Sequence, residues 1–199
     1  MIKFGKNNDS AGPIAVFKQK YDEALSLNQD VIQAAAIASF SKSLDEVDIR
    51  FVNIKHIEGN NLIFFTNYNS PKSQQFEEHG QVGVTFFWSK SNTQIRIQGT
   101  IRKTSKKYNL NYFKNRALKK NILAIASDQS QEISSYEEMI RNYDQISKNE
   151  DLDQCPDYWG GFKITPYKFE FWKGHENRLN YREEYNLNKK KWHKKILQP

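Results

Sequence analysis

Any chemistry in this chain has to come from its arginines, lysines and rings. Arg50, Lys55, Lys72, Arg116 and Arg182 are the candidates for holding a phosphate. Arg offers oxygens a planar fork and Lys a mobile point charge. Lys72 follows Ser70-Pro71, which reads as the start of a short helix through Glu78, with Ser70 as N-cap. A helix start with free N–H groups is a ready anion site; a capped helix with a solvated lysine is the plainer alternative. The stretch Pro156–Arg182 holds two of the four Trp, three of the nine Gly, and Arg178 and Arg182 four residues apart. Rings beside paired arginines suit a flat, anionic ligand, and equally suit the last hairpin of an ordinary β-domain.

Other chemistries lack their residues. His56, His79, His175 and His193 show no metal-ligand spacing, and Cys155 is the only cysteine, which disfavours a zinc or iron site. There is no Gly-x-Ser-x-Gly, no G-x-G-x-x-G and no GxxxxGK[ST], so nucleophile-elbow, Rossmann and P-loop sites are disfavoured. One cysteine rules out an internal disulfide and fits a reducing cytoplasm. No apolar run approaches about 18 residues, so no membrane partner is expected. The net charge is +7, yet Asn186–Pro199 carries five Lys and no acid, leaving the body near +2. The basic character belongs to the tail, and nucleic acid is not an expected partner.

The elements that must position these residues are mostly strands. The 199 residues are 14% aromatic, which favours one β-rich domain. Met1–Gly12 is polar and reads as a mobile segment, and 13–199 as the domain. Ala15, Phe17, Tyr21, Ala24 and Leu25 predict a helix over Pro13–Leu27. Strands are expected over Val31–Phe40, Asp48–Ile57, Leu62–Thr66, Gln81–Trp88 and Thr93–Thr104, with a hairpin turn at Glu58–Asn61. Helices are expected over Lys106–Arg116 and Leu118–Ala126, and another to about Lys148 capped by Ser134/Ser135 with Glu137/Glu138. Two strands with a short connection follow, and the last ends near Leu197. Seven or eight strands in meander order with three or four helices make an α+β domain, with a twisted barrel protecting its edges. Arg50 and Lys55 pose a problem: five apart, they face opposite sides of an ideal strand, so either a bulge intervenes or both faces serve the ligand.

Taken in order, these pieces resemble the pyridoxamine 5′-phosphate oxidase family over about Pro13–Pro199. The resemblance is carried by Arg50-Phe-Val-Asn-Ile-Lys55, Phe65-Thr66-Asn67 with Ser70-Pro-Lys72, Phe87-Trp88, and Gln94-Ile-Arg-Ile-Gln-Gly99. It continues through Tyr112-Phe with Arg116, Gln129-Ser130, Trp159-Gly-Gly-Phe, Glu170-Phe-Trp172, Arg178-Leu179, Arg182 and Trp192…Pro199. It implies an FMN-binding split β-barrel, antiparallel and Greek-key-like with flanking helices. It also implies a homodimer with FMN at the interface, and a C-terminal region of about 156–199 serving dimerisation and substrate. The implied reaction is oxidation of pyridoxamine or pyridoxine 5′-phosphate by O2.

The resemblance assigns FMN contacts to Arg50, Phe51, Val52, Asn53, Ile54, Lys55, Phe65, Thr66, Lys72, Gln94, Gln129, Ser130, Trp172 and Arg182. Substrate contacts fall to Lys55, Tyr112, Arg116, Lys120, Arg178 and Asn180, the last two at the reacting centre. Departures fall mainly on the substrate side. Asn180 and Tyr181 stand where the family has His and an acid, and Asn180 cannot titrate near neutral pH. Lys120 replaces a Ser, Pro71 a basic residue, and no Arg-x-x-Tyr occurs in Met1–Gly12. The neighbouring implications are an oxidase of another flat reduced ring, of the phenazine-biosynthesis type, or a flavin-binding protein with little turnover.

Overall fold

The computed structural model describes residues 1–5, 12–148 and 151–199. In chain order the elements are β1 (Lys3–Phe4), α1 (Pro13–Ser26), β2 (Ala34–Ser41), β3 (Glu46–Asn53), β4 (His56–Glu58) and β5 (Asn61–Asn67). Then come α2 (Pro71–Glu78), β6 (Gln81–Trp88), β7 (Thr93–Lys103), α3 (Lys106–Lys114), α4 (Leu118–Ala126) and α5 (Tyr136–Ser147). The C-terminal strands are β8 (Trp159–Lys173), β9 (Tyr181–Asn188) and β10 (Lys191–Leu197).

The strands join in one sheet, in the order β1-β4-β5-β8-β7-β6-β2-β3, with β9 and β10 branching from β8. This is not the expected meander, and among the described residues there are ten strands and five helices. All pairs are antiparallel except β1 with β4. β8 organises the sheet. Residues 162–173 pair with β7 on one edge; on the other edge 159–164 pair with β5 and 168–173 with β9. The divergence of β5 from β9 along one strand splits the barrel. A bulge lies where Gln98 pairs with Lys168 and Gly99 with Pro166, leaving Tyr167 over. Pro has no N–H for a ladder and is tolerated at such a bulge. Gly99 is required there, because a Cβ would lie 2.8 Å from the Thr165 carbonyl oxygen.

The core is built from rings, as the composition implies. Phe17 of α1 packs edge-on against Phe86 and Trp88, with centroids 5.2 and 5.6 Å away. Phe64, Phe162 and Phe169 are fully buried in the same cluster. α1 buries Ile14, Phe17, Tyr21 and Ala24, whereas Leu25 is exposed. The expected stripe is therefore rotated toward Ile14. Part of the segment read as mobile is anchored: Ile2 is buried, its N–H donates to the Tyr21 hydroxyl at 2.9 Å, and Lys3–Phe4 pair with β4. Residues 6–11 of that segment lie outside the described residues.

Two boundaries differ from expectation for local reasons. β2 starts at Ala34 rather than Val31, because Asn28 and Val31 take positive φ and form a turn closed by Ala34 N–H on the Val31 carbonyl. The helix expected to reach Arg116 ends at Lys114. The cap of α5 is as expected, with Ser135 Oγ accepting from Glu138 N–H. At α2, Ser70 holds the N-cap position without capping; its hydroxyl donates to the Asn67 carbonyl instead.

The lysine-rich tail is a hairpin. Asn188 pairs with Lys191, so Lys189 and Lys190 form a two-residue turn, both at positive φ. Lys194 and Lys195 pair with the buried carboxylates of Glu183 and Glu184, so part of the basic tail is neutralised. Such a turn favours Asn-Gly. Replacing Lys189 by Asn and Lys190 by Gly is expected to raise stability by about 1 kcal/mol, since left-handed backbone costs an ordinary residue roughly that much. Thermal denaturation reads the gain as a few degrees in Tm.

Candidate functional site

A cleft of about 290 Å³ opens where β3, β5, α3 and β8 converge. β3 supplies Phe51, Val52 and Asn53, and β5 supplies Phe65 and Thr66. The chain brings Lys55, Lys72, Arg116 and Lys120 into the same cleft, and no carboxylate is among the lining residues. Four cations without an acid make the cleft attractive to an anion.

The cations form two groups. Lys72 is buried and its Nζ donates to Ser70 Oγ at 2.9 Å. Burial, then the Arg50 charge, hold its amine down at about 8, with Asp48 opposing. Arg50 is fixed from behind: it donates to Ser39 Oγ and Gln75 Oε1, both at 2.7 Å, and pairs with Asp48. The other group is Lys55, Arg116 and Lys120. Burial, then Lys120 and Arg116, lower the Lys55 pKa, and burial lowers that of Arg116. Arg116 is steadied by donating to the Lys120 carbonyl at 2.8 Å and by lying 4.6 Å over the Trp159 ring.

The Arg50–Lys55 problem is resolved by a change of partner, not by a bulge or a two-faced strand. β3 ends at Asn53; Ile54 N–H then donates to the Gln33 carbonyl and Lys55 N–H to the Ile63 carbonyl. The chain passes from the β2 side to the β5 side in those two residues. Ile54 keeps its side chain in the core, so only its backbone can face a ligand.

The wall beside Lys55 is a pile of near-parallel rings. Phe65 stacks on Tyr112 at 3.6 Å and 4°, and on Trp159 at 5.3 Å and 8°. Gln129 is tied to β5, its Oε1 accepting from Thr66 Oγ1 at 2.9 Å and Asn67 N–H at 3.3 Å. Ser130 follows it, exposed and at positive φ. Tyr112, Arg116, Lys120, Phe65, Thr66, Lys72 and Gln129 are thus brought together. Trp159, part of the resemblance but given no role by it, lines the cleft too. The Gly160 that follows packs where a Cβ would collide with the Tyr68 hydroxyl. Gln75, which orients Arg50, carried no sequence signal.

Arg50 and Ser130 are not among the lining residues, and Gln94, Trp172, Arg182, Arg178 and Asn180 lie outside this cleft as well. Gln94, Trp172 and Arg182 make one row across β7, β8 and β9. Arg182 is clasped: Nε and Nη2 reach Glu170 Oε1 at 3.0 and 2.9 Å, and Nη1 donates to the Gln198 carbonyl at 2.9 Å. Arg178 is exposed on the β8–β9 connection at φ 60. Asn180 spans that connection, its Oδ1 accepting from His175 N–H at 3.1 Å. Among the described residues no cluster of three or more His, Cys, Asp or Glu could hold a metal. No helix there is long and apolar enough to cross a membrane.

The family model described as pyridoxamine 5′-phosphate oxidase matches residues 27–149. A second, described as the pyridoxine 5′-phosphate oxidase C-terminal dimerisation region, matches 159–199. A pyridoxine/pyridoxamine 5′-phosphate oxidase of Vesicomyosocius okutanii is 33% identical over 189 residues, covering 94% of this chain and 88% of that one. One from Legionella pneumophila strain Paris is 34% identical over 209 residues, covering 100% and 93%. Among solved structures, PhzG from Burkholderia lata 383, in complex with tetrahydrophenazine-1-carboxylic acid, superposes with a TM-score of 0.86 at 22% identity, covering 97% of this chain and 100% of that one. A pyridoxamine 5′-phosphate oxidase-related, FMN binding protein from Nostoc punctiforme PCC 73102 gives 0.80 at 11% identity, covering 96% and 99%. The fold is therefore the FMN-binding split barrel, α+β, and the chain belongs to the pyridoxamine 5′-phosphate oxidase family.

Proposed function

We propose that this chain is an FMN-dependent oxidase that converts pyridoxamine or pyridoxine 5′-phosphate to pyridoxal 5′-phosphate. The observation that carries the reading is the cleft of four cations and no carboxylate beside a stack of rings. A ligand there must combine negative charge with flat apolar surface, and the family's FMN and a phosphorylated pyridine both do. Lys72, with Arg50 behind it, suits the FMN phosphate. Lys55, Tyr112, Arg116 and Lys120 suit the substrate phosphate.

When bound, FMN supplies the redox capacity: a hydride leaves the substrate C4′ carbon, and with a proton its two electrons end on O2 as H2O2. The alcohol becomes the aldehyde directly; the amine also needs one water, which releases ammonia. The protein's task is positioning. Phe51, Val52, Asn53, Phe65, Thr66, Gln129 and Ser130 shape the cofactor side, and the backbone of Ile54 completes that turn.

Gln94, Trp172 and Arg182 complete the FMN shell from a second copy in this reading, with Arg178 and Asn180 closing over the substrate. Support comes from the match of 159–199 to a dimerisation region and from β3, whose Val47, Ile49 and Phe51 are 71%, 66% and 77% exposed. Apolar side chains so exposed along one strand suit burial against another copy. The single cysteine supports a cytoplasmic location. The second reading, an oxidase of a flat reduced ring without phosphate, is favoured by the likeness to PhzG and by Asn180 and Tyr181. The lysines at positions 55 and 120 weigh toward a phosphate.

The purified protein is expected to be yellow, to release FMN on denaturation, and to form peroxide on addition of pyridoxine or pyridoxamine 5′-phosphate. A colourless protein that cannot be reconstituted with FMN sinks the proposal; bound FMN without turnover moves the assignment to the second reading.

Lys72 sets a pH dependence. Its amine is charged below about 8 and neutral above. A bound phosphate restores the charge, so binding takes up a proton above that pH. FMN affinity is expected to fall by up to about tenfold per pH unit above about 8, and Lys72→Met to abolish that limb. Flavin fluorescence quenching measures both. Asn180→Ala removes the bond that ties the connection together. The expected result is a KM raised about fivefold, the worth of one neutral hydrogen bond, with FMN affinity unchanged in the same titration.

A further inference from the structure

Tyr108 and Tyr112, four residues apart, lie on one stripe of α3, and Arg116 follows just past its end. Tyr112 and Arg116 line the cleft; Tyr108, one turn earlier, does not. Its hydroxyl donates to Glu58 Oε1 at 2.7 Å and lies 2.6 Å from His56 Nδ1. With the single hydroxyl proton given to the carboxylate, Nδ1–H of His56 is the donor in the second bond. Both partners belong to β4, which begins one residue after Lys55. The His56 ring also meets Tyr112 edge-on, with centroids 5.3 Å apart. One hydroxyl therefore ties the strand that continues from Lys55 to the helix that leads to Arg116.

That tie lies where the structure needs it. Lys55 feels the like charges of Lys120 and Arg116, and no carboxylate among the lining residues offsets them. Without an anion between them, the segments that carry these cations repel each other. Glu58 is outside the cleft, so it can anchor Tyr108 without neutralising the site.

We propose that Glu58, Tyr108 and His56 form a clamp that holds the two cation-bearing segments of the cleft at phosphate-binding spacing. They are positioning residues, acting through Lys55, Tyr112 and Arg116. The proposal rests on reading the cleft as a phosphate site.

Tyr108→Phe keeps the ring, which lies parallel to Phe65 at 6.1 Å, and removes only the hydroxyl. The test titrates inorganic phosphate into the FMN-loaded protein, with binding followed by calorimetry. At about 0.01 M salt the Kd of Tyr108→Phe is expected to rise about fivefold to tenfold over wild type. At about 1 M salt the gap closes to within about twofold, because the screening length falls from about 30 Å to about 3 Å. Glu58→Ala, a change at a half-exposed side chain, is expected to behave the same way and carries the test if Tyr108→Phe does not fold. Glu58→Gln keeps an acceptor and is expected to stay within about twofold of wild type. Unchanged phosphate affinity in Tyr108→Phe and Glu58→Ala, or a loss equal at both salt concentrations, overturns the clamp. A wild-type protein that holds FMN but binds no phosphate overturns the phosphate reading, and the clamp with it.

Discussion

The long strand β8 pairs with β7 along one edge, and on the other edge serves β5 and then β9. Because of that division, one strand carries residues of both candidate groups. Trp159, at its start, stands in the cleft against Phe65 and under Arg116. Trp172, near its end, stands in the row with Gln94 and Arg182. Both lie on one continuous strand of 15 residues, so the spacing of the two groups is set without any loop between them. Binding sites built on regular elements keep their geometry better than sites built on loops, and the cost falls on the strand, which has to bend.

Electrostatics divides the polar residues in the same way. The β7–β10 face sets acids among its cations: Glu170 is buried between Arg96 and Arg182, and Glu184 between Lys168 and Lys195. The cleft is the reverse, with cations and no acid. One face carries its own counter-charges and the lining of the other does not. Net charge does not reveal this, since the tail's lysines dominate the sum while two of them are already paired.

Much of this was legible in the sequence wherever the cause was local. Pro71 begins α2, and Ser135 caps α5, where their residue types predict. β6 has the predicted bounds because its alternation is clean. The exceptions have distant or unusual causes. Val31, a β-branched residue, takes a left-handed backbone that propensity argues against. The break at Ile54–Lys55 is a change of sheet partner, visible only when β2 and β5 are both in place. Of the site, Lys55, Lys72, Arg116, Lys120 and the Phe65–Thr66 pair were recognised from residue type and family resemblance. The supports were not: Gln75 behind Arg50 and Tyr108 against Glu58 are contacts across 25 and 50 positions, which no periodicity encodes.

The bulge between β7 and β8 has a consequence for descent. Gly99 tolerates no Cβ because the Thr165 carbonyl approaches it, and that approach exists because Tyr167 is the extra residue beside Pro166. Neither side can drift alone. A larger residue at 99 collides unless the opposite strand first loses its extra residue, and losing Tyr167 would place Pro166 in a regular ladder opposite Gly99, where it has no N–H to give. Positions 99 and 166–167 are therefore coupled, a larger residue on one strand requiring a change on the other.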